Sequence, residues 1–130
     1  MMEEIVEQYQ SVVERYLAIW NELDAERRQG LIARTWDGDA YYIDPLMQGE
    51  GHAGVDALVQ AVHQQFPDFR FRQLGAVDGH HSYVRFSWEL GPEGGPAPIA
   101  GSDVATLAPD GRLLRVIGFL DRVPAVAPQA

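Results

Sequence analysis

In the stretch Phe69-Arg70-Phe71-Arg72-Gln73-Leu74-Gly75-Ala76-Val77-Asp78-Gly79-His80-His81-Ser82-Tyr83-Val84-Arg85-Phe86-Ser87-Trp88-Glu89-Leu90, the spacing of apolar residues changes from that of a helix to a period of two. Val84, Phe86, Trp88 and Leu90 alternate with Tyr83, Arg85, Ser87 and Glu89, as on a strand with one face turned to a core. Phe69 to Val77 and His81 to Leu90 flank Asp78-Gly79-His80, which predicts a tight hairpin turn there. One face of such a sheet meets the helices and the other meets water or a second copy of the chain, so a homodimer is expected.

Downstream, a Gly/Pro loop from Gly91 to Pro96 leads to a strand near Ile99 to Leu107, and Pro109-Asp110-Gly111 turns the chain into a last strand at Leu113 to Arg122. Upstream the helical period rules. Tyr9, Val12, Val13, Tyr16, Leu17 and Trp20 form the stripe of an amphipathic helix. Asp24 is placed to cap a second helix that carries Glu26 in its first turn, and Asp37-Gly38-Asp39 breaks it. Ala40 to Asp44 reads as a short strand stopped by Pro45. Val55, Leu58, Val59, Val62 and Phe66 mark a third helix, closed by Pro67. The class is therefore α+β: a curved antiparallel sheet packed against three N-terminal helices, with a cavity expected between them.

The 130 residues fit one domain, expected over 1–123 with a flexible tail at 124–130. Ten basic and nineteen acidic residues give a net charge of -9. That balance repels phosphates and anionic lipid, so neither nucleic acid nor a membrane is expected as partner. All ten basic residues are arginine, which excludes lysine Schiff bases and lysine-dependent phosphate loops; zero cysteines exclude thiol nucleophiles. The acidic start lacks a basic segment followed by an apolar run, which predicts a cytoplasmic protein.

Several motifs carry no chemistry. Gly49-Glu50-Gly51-His52-Ala53-Gly54 matches the dinucleotide fingerprint, but Glu50 would face the pyrophosphate and hairpins follow the helix, so it reads as a connector ending at a helix start. His80 and His81 are neighbours that face opposite sides of a regular strand, and His52 and His63 stand alone, so no metal site is expected. No serine lies in a Gly-x-Ser-x-Gly elbow.

Three residues remain. Asp44 sits in Tyr41-Tyr42-Ile43-Asp44-Pro45-Leu46-Met47 among aromatic, aliphatic and proline side chains, on the strand face of Tyr42; it is either a turn aspartate before proline or a carboxylate aimed into a cavity. Asp103 shares its face with Gly101, Ala105 and Leu107. Small neighbours there would raise its pKa by desolvation, unless it is exposed or paired with Arg115 or Arg85. Tyr16 faces the sheet and needs a partner for its hydroxyl, from the backbone or from a site.

Glu14-Arg15-Tyr16-Leu17, Trp36-Asp37-Gly38-Asp39-Ala40, Ile43-Asp44-Pro45-Leu46 and Ala97-Pro98-Ile99 leading to Asp103 together resemble the NTF2-like superfamily. Over nearly its whole length the chain is most similar to the SnoaL-like and ketosteroid-isomerase branch. The resemblance implies a cone-shaped fold and an isomerase or cyclase without cofactor, acting alpha to a carbonyl of a small apolar cyclic molecule. Tyr16 and Asp103 would be the oxyanion donors and Asp44 the general base. Trp20, Trp36, Tyr42, Met47, Phe66, Phe86, Trp88 and Phe119 are candidates for the apolar lining. The chain departs from those isomerases at Ala61-Val62-His63, where a supporting phenol is often found. The superfamily also contains many members with no known reaction, so a module that only binds an apolar ligand or dimerises is the alternative.

Overall fold

The computed structural model describes residues 2–124, so the tail expected at 124–130 lies, apart from Pro124, outside the described residues. Helix α1 (Met2–Asn21) carries the expected stripe, and Tyr9, Val12, Val13, Tyr16, Leu17 and Trp20 are all buried. Helix α2 (Ala25–Thr35) starts where Asp24 accepts a hydrogen bond from the Arg27 amide at 2.8 Å. Strand β1 (Trp36–Ile43) follows with no loop, four residues earlier than the sequence indicates, because Trp36 takes extended angles directly at the helix end. The supposed connector contains a further short strand, β2 (Gln48–Glu50), paired antiparallel to β1, and α3 (Gly51–Gln65) begins at once.

Strands β3 (Phe69–His80), β4 (Tyr83–Pro92), β5 (Ile99–Leu107) and β6 (Leu113–Arg122) complete a sheet of order β2-β1-β6-β5-β4-β3. The expected all-antiparallel pairing holds for every neighbour except β1 and β6, which run parallel, so the sheet is mixed. Together, three helices on a curved six-stranded mixed sheet form the expected NTF2-like α+β cone. A parallel pair needs a long crossover, and here the remaining helix and four strands supply it.

The β3–β4 turn lies two residues later than expected, at His81-Ser82, with His80 opposite Tyr83. Asp78 and Gly79 stay in the strand for local reasons. Asp78 pairs with Arg85 at 2.9 Å, the Tyr9 ring covers Gly79 so closely that a Cβ would collide with it, and the Tyr9 hydroxyl donates to the His81 carbonyl at 2.8 Å. His81 instead supplies the left-handed turn residue, at φ 52.

Alternation on β4 puts Val84, Phe86, Trp88 and Leu90 against the helices. Helices α2 and α3 are locked by a buried pair: Arg28 Nε lies 2.5 Å from Asp56 Oδ1, while its Nη1 donates to the Glu22 carbonyl at 2.8 Å. No helix among the described residues is long and apolar enough to cross a membrane.

Candidate functional site

The stripe of α1 aims Tyr16 at the inner face of the sheet, where its hydroxyl donates to Asp103 Oδ2 at 2.8 Å. Asp103 is 1% exposed. Its other oxygen accepts the indole N–H of Trp88, its neighbour on β4, at 3.1 Å. Gly101 makes this contact possible, because a side chain there would run into the Trp88 ring. Neither expected arginine reaches Asp103. Arg85 is bound to Asp78, and Arg115 lies over the Tyr41 ring at 5.5 Å. Burial without a cation pushes the Asp103 pKa up to about 6; the Trp88 and Tyr16 donors pull against that rise, and the Asp44 charge adds to it.

Asp44 is the turn aspartate of its first reading, and its second oxygen is taken up by a neighbour on the same strand face. Its Oδ1 accepts the amides of Leu46 and Met47 at 2.8 and 2.9 Å, closing a turn over Pro45. Its Oδ2 accepts the Tyr42 hydroxyl at 2.6 Å, as their common strand face requires. Burial raises the Tyr42 pKa, helped by the Asp103 charge and the bond to Asp44. Burial likewise raises that of Tyr16, followed by the Asp103 charge, so both phenols remain donors.

Gly118 joins the halves of the cluster. It pairs with Asp103 across β5–β6, and on its other side the β1–β6 pairing of Ile43 with Ile117 brings Asp44 alongside. A Cβ built on Gly118 would stand 2.9 Å from Asp103 Oδ1, 3.2 Å from Asp44 Cβ and 3.3 Å from the Tyr42 hydroxyl. Sequence reasoning missed this residue. Its signal was a glycine inside a strand of otherwise large side chains, the mark of a close approach. No phenol stands on α3 to support Tyr16, and the Tyr42 phenol on β1 donates to Asp44 instead.

Around the cluster the aromatic side chains close on one another. Trp20 packs on Tyr42 at 5.6 Å and on Phe71 at 5.5 Å, Phe71 on Trp88 at 5.2 Å, and Tyr16 on Phe86 at 5.2 Å. Trp36 is wholly buried beside Tyr16, while Met47 and Phe66 are half-buried against the core. Phe119 does not belong to this lining. Period two turns it to the outer face with Ile117, opposite Ser102, where it is 56% exposed. Two open clefts, of about 750 and 840 Å³, lie at Gln10, Asn21 and Arg70 and at Tyr41, Glu50 and Arg115; neither is lined by Tyr16, Asp44 or Asp103.

The histidines nearest the core tie elements together. His63 Nε2 bonds the Trp20 carbonyl at 2.7 Å, and His52 Nε2 the carbonyls of Trp36 and Asp37 at 2.9 and 3.1 Å. Among the described residues, no three His, Asp or Glu side chains are grouped to hold a metal ion.

The profile of the SnoaL-like domain matches residues 13–116, a span that holds Tyr16, Asp44 and Asp103. The chain belongs to the SnoaL-like family. Among solved structures, this SnoaL-like protein is similar to a candidate isomerase of the same family from Agrobacterium tumefaciens, with 45% identity and a TM-score of 0.84 over 88% of this chain and 97% of that one. It shares its fold with a candidate SnoaL-like polyketide cyclase from a Jannaschia species, at 18% identity and a TM-score of 0.69 over 90% of this chain and 88% of the other. A Catenulispora acidiphila protein with a ketosteroid isomerase-like fold, in complex with trimethylamine, shares it at 11% identity and a TM-score of 0.66, over 82% of each chain. Among curated proteins none matches.

Proposed function

We propose that this SnoaL-like protein is an isomerase or cyclase that needs no cofactor and moves a proton alpha to a carbonyl of a small apolar cyclic substrate. Asp44 is the base, and Tyr16 with protonated Asp103 holds the enolate oxygen. The observation that carries this reading is the convergence of Asp44, Asp103 and Tyr42 on Gly118, with the Tyr16 hydroxyl on Asp103. The likeness to the A. tumefaciens candidate isomerase supports it.

The steps follow from the groups. An Asp44 oxygen takes the alpha proton; the electron pair of the broken C–H bond moves into the carbonyl and forms an enolate; the same oxygen returns the proton to carbon. The two amides and the Tyr42 hydroxyl hold the Asp44 carboxylate in one orientation. On binding, the Tyr16 hydroxyl turns from Asp103 to the substrate oxygen and protonated Asp103 donates to the same oxygen, where negative charge develops. An oxyanion beside Asp103 favours its protonated form further, by the same repulsion that Asp44 exerts.

The test is turnover of a β,γ-unsaturated ketone. Asp44→Asn is expected to lower kcat by ~10²- to 10⁴-fold, the usual worth of a general base, with ligand affinity retained. An unchanged rate would leave Asp44 as a turn residue. It would also favour the second reading, a non-catalytic ligand-binding or dimerisation module, which the exposed Ile117 and Phe119 of the outer face support.

Dimerisation is part of the proposal. On the outer face Ile43, Ile117 and Val104 form one apolar row across β1, β6 and β5, with Phe119 beside it. Apolar side chains aligned in this way are what a second sheet face covers.

A further inference from the structure

Asp103 presents its two oxygens to unlike partners. Oδ2 takes the Tyr16 hydroxyl at 2.8 Å, and Oδ1 the Trp88 indole N–H at 3.1 Å. A hydroxyl both donates and accepts, whereas an indole N–H only donates. Trp88 therefore needs a lone pair on Oδ1, and Tyr16 makes no such demand on Oδ2. The carbonyl oxygen of a neutral carboxyl is its better acceptor, so a protonated Asp103 that satisfies both partners carries its hydrogen on Oδ2. The Trp88 ring is held where this contact needs it. Phe71 meets it edge-on at 5.2 Å, and the Asn21 side chain bonds both the N–H and the carbonyl of Phe71, at 2.8 and 3.0 Å.

The choice of oxygen matters because of what lies beyond it. Oδ1 comes within 2.9 Å of the place a Cβ would take on Gly118, the same place that Asp44 Cβ and the Tyr42 hydroxyl border at 3.2 and 3.3 Å. An acid proton on Oδ1 would stand on the side of the Asp44 carboxylate and be drawn toward it; on Oδ2 it stands beside Tyr16. Resting on the function proposed above, we infer that Trp88 is a positioning residue: its N–H holds Oδ1 as an acceptor, so that the Asp103 proton stays on Oδ2 and is offered, with the Tyr16 hydroxyl, to one substrate oxygen.

The same N–H favours the ionised carboxylate, while the charges of Asp44, just past β1, and Asp121, on β6, disfavour it. Its loss therefore raises the Asp103 pKa further. A loosened core would do the reverse, because burial is the main cause of the raised value.

Trp88→Phe keeps a ring and loses the N–H. In turnover of a β,γ-unsaturated ketone, kcat is expected to fall about tenfold, the equivalent of one buried hydrogen bond, with KM unchanged. The alkaline limb of kcat/KM should move to higher pH. Benzothienylalanine at position 88 has the shape of tryptophan without its N–H, should give the same two changes, and is decisive if Trp88→Phe does not fold. A kcat equal to that of the parent chain overturns the inference, and so does a limb that moves to lower pH, the mark of a loosened core. Where the parent chain turns the ketone over in dependence on Asp44, either result removes only the role of Trp88. A parent chain without turnover removes the function proposed for the site, and the inference with it.

Discussion

The Tyr16 hydroxyl donates to Asp103 Oδ2 at 2.8 Å, joining the first helix to the fifth strand across 87 residues of chain. Both groups are almost wholly buried, and no cation faces the carboxyl, so the neutral form of Asp103 is favoured by its surroundings.

That preference sets a pH dependence. The Asp103 pKa rises from 3.8 to about 6 on folding, so the folded chain holds this proton more tightly than the unfolded one. Stability is lost as pH rises from about 4 through about 6, by up to ~3 kcal/mol. Asp103→Asn should lose this component, seen as a flatter plot of Tm against pH. Asparagine keeps a neutral donor at the position. On the proposed function, kcat/KM of the parent is expected to fall above pH about 6 as Asp103 ionises, and the variant should lack that fall.

Gly118→Ala should damage the site more than its size suggests. The added methyl group meets Asp103 Oδ1 at 2.9 Å and Asp44 Cβ at 3.2 Å, so both carboxyls must move. A loss of ~1–3 kcal/mol in urea unfolding is expected from overpacking, with a fall in activity. Gly38→Ala, where nothing lies within 4 Å of the new methyl, is the control and should change neither.

Arg28 and Asp56 should behave as a unit. Asp56→Ala leaves a guanidinium that is only 2% exposed without its carboxylate, a loss of ~3–5 kcal/mol in chemical denaturation. The double variant Arg28→Met, Asp56→Leu should recover most of it, because no charge then stays buried.

Phe119→Asp tests the outer face. Phe119 is 56% exposed beside the Ile117 row, and a charge there opposes any apolar contact across it. Sedimentation should find a dimer for the parent chain and a monomer for the variant. A monomeric parent chain would remove the dimer.

Much of the site could be read from local spacing. The helical stripe assigns Tyr16 to the sheet side of α1, alternation assigns Asp103 to the inner face of β5, and Asp44 shares its face with Tyr42. What spacing misses is adjacency. Alternation says which way Asp103 and Trp88 point, but the Trp88–Asp103 bond depends on the β4–β5 register and on Gly101 leaving room for the ring. The same gap explains Phe119, a large apolar residue placed among the lining because its composition fitted; its register with Ser102 puts it outside. The hairpin turn moved to His81-Ser82 because Tyr9, from a helix distant in sequence, covers Gly79 and bonds the His81 carbonyl.

By itself, then, the sequence determined the three helices and every strand but β2, the inner faces of α1, β4 and β5, and the side-chain types available to a site, because the 3.6-residue and two-residue periods are local properties of the backbone. Only the tertiary structure decided that Asp44 and Asp103 meet. Asp103 lies on β5 and Asp44 just past the end of β1, with β6 between them, and their convergence required β1 to run parallel to β6 in the register that sets Ile43 against Ile117. It also required the residue between them, Gly118, to have no side chain. Parallel pairing over so long a separation leaves no local pattern, since its register comes from packing across the whole sheet.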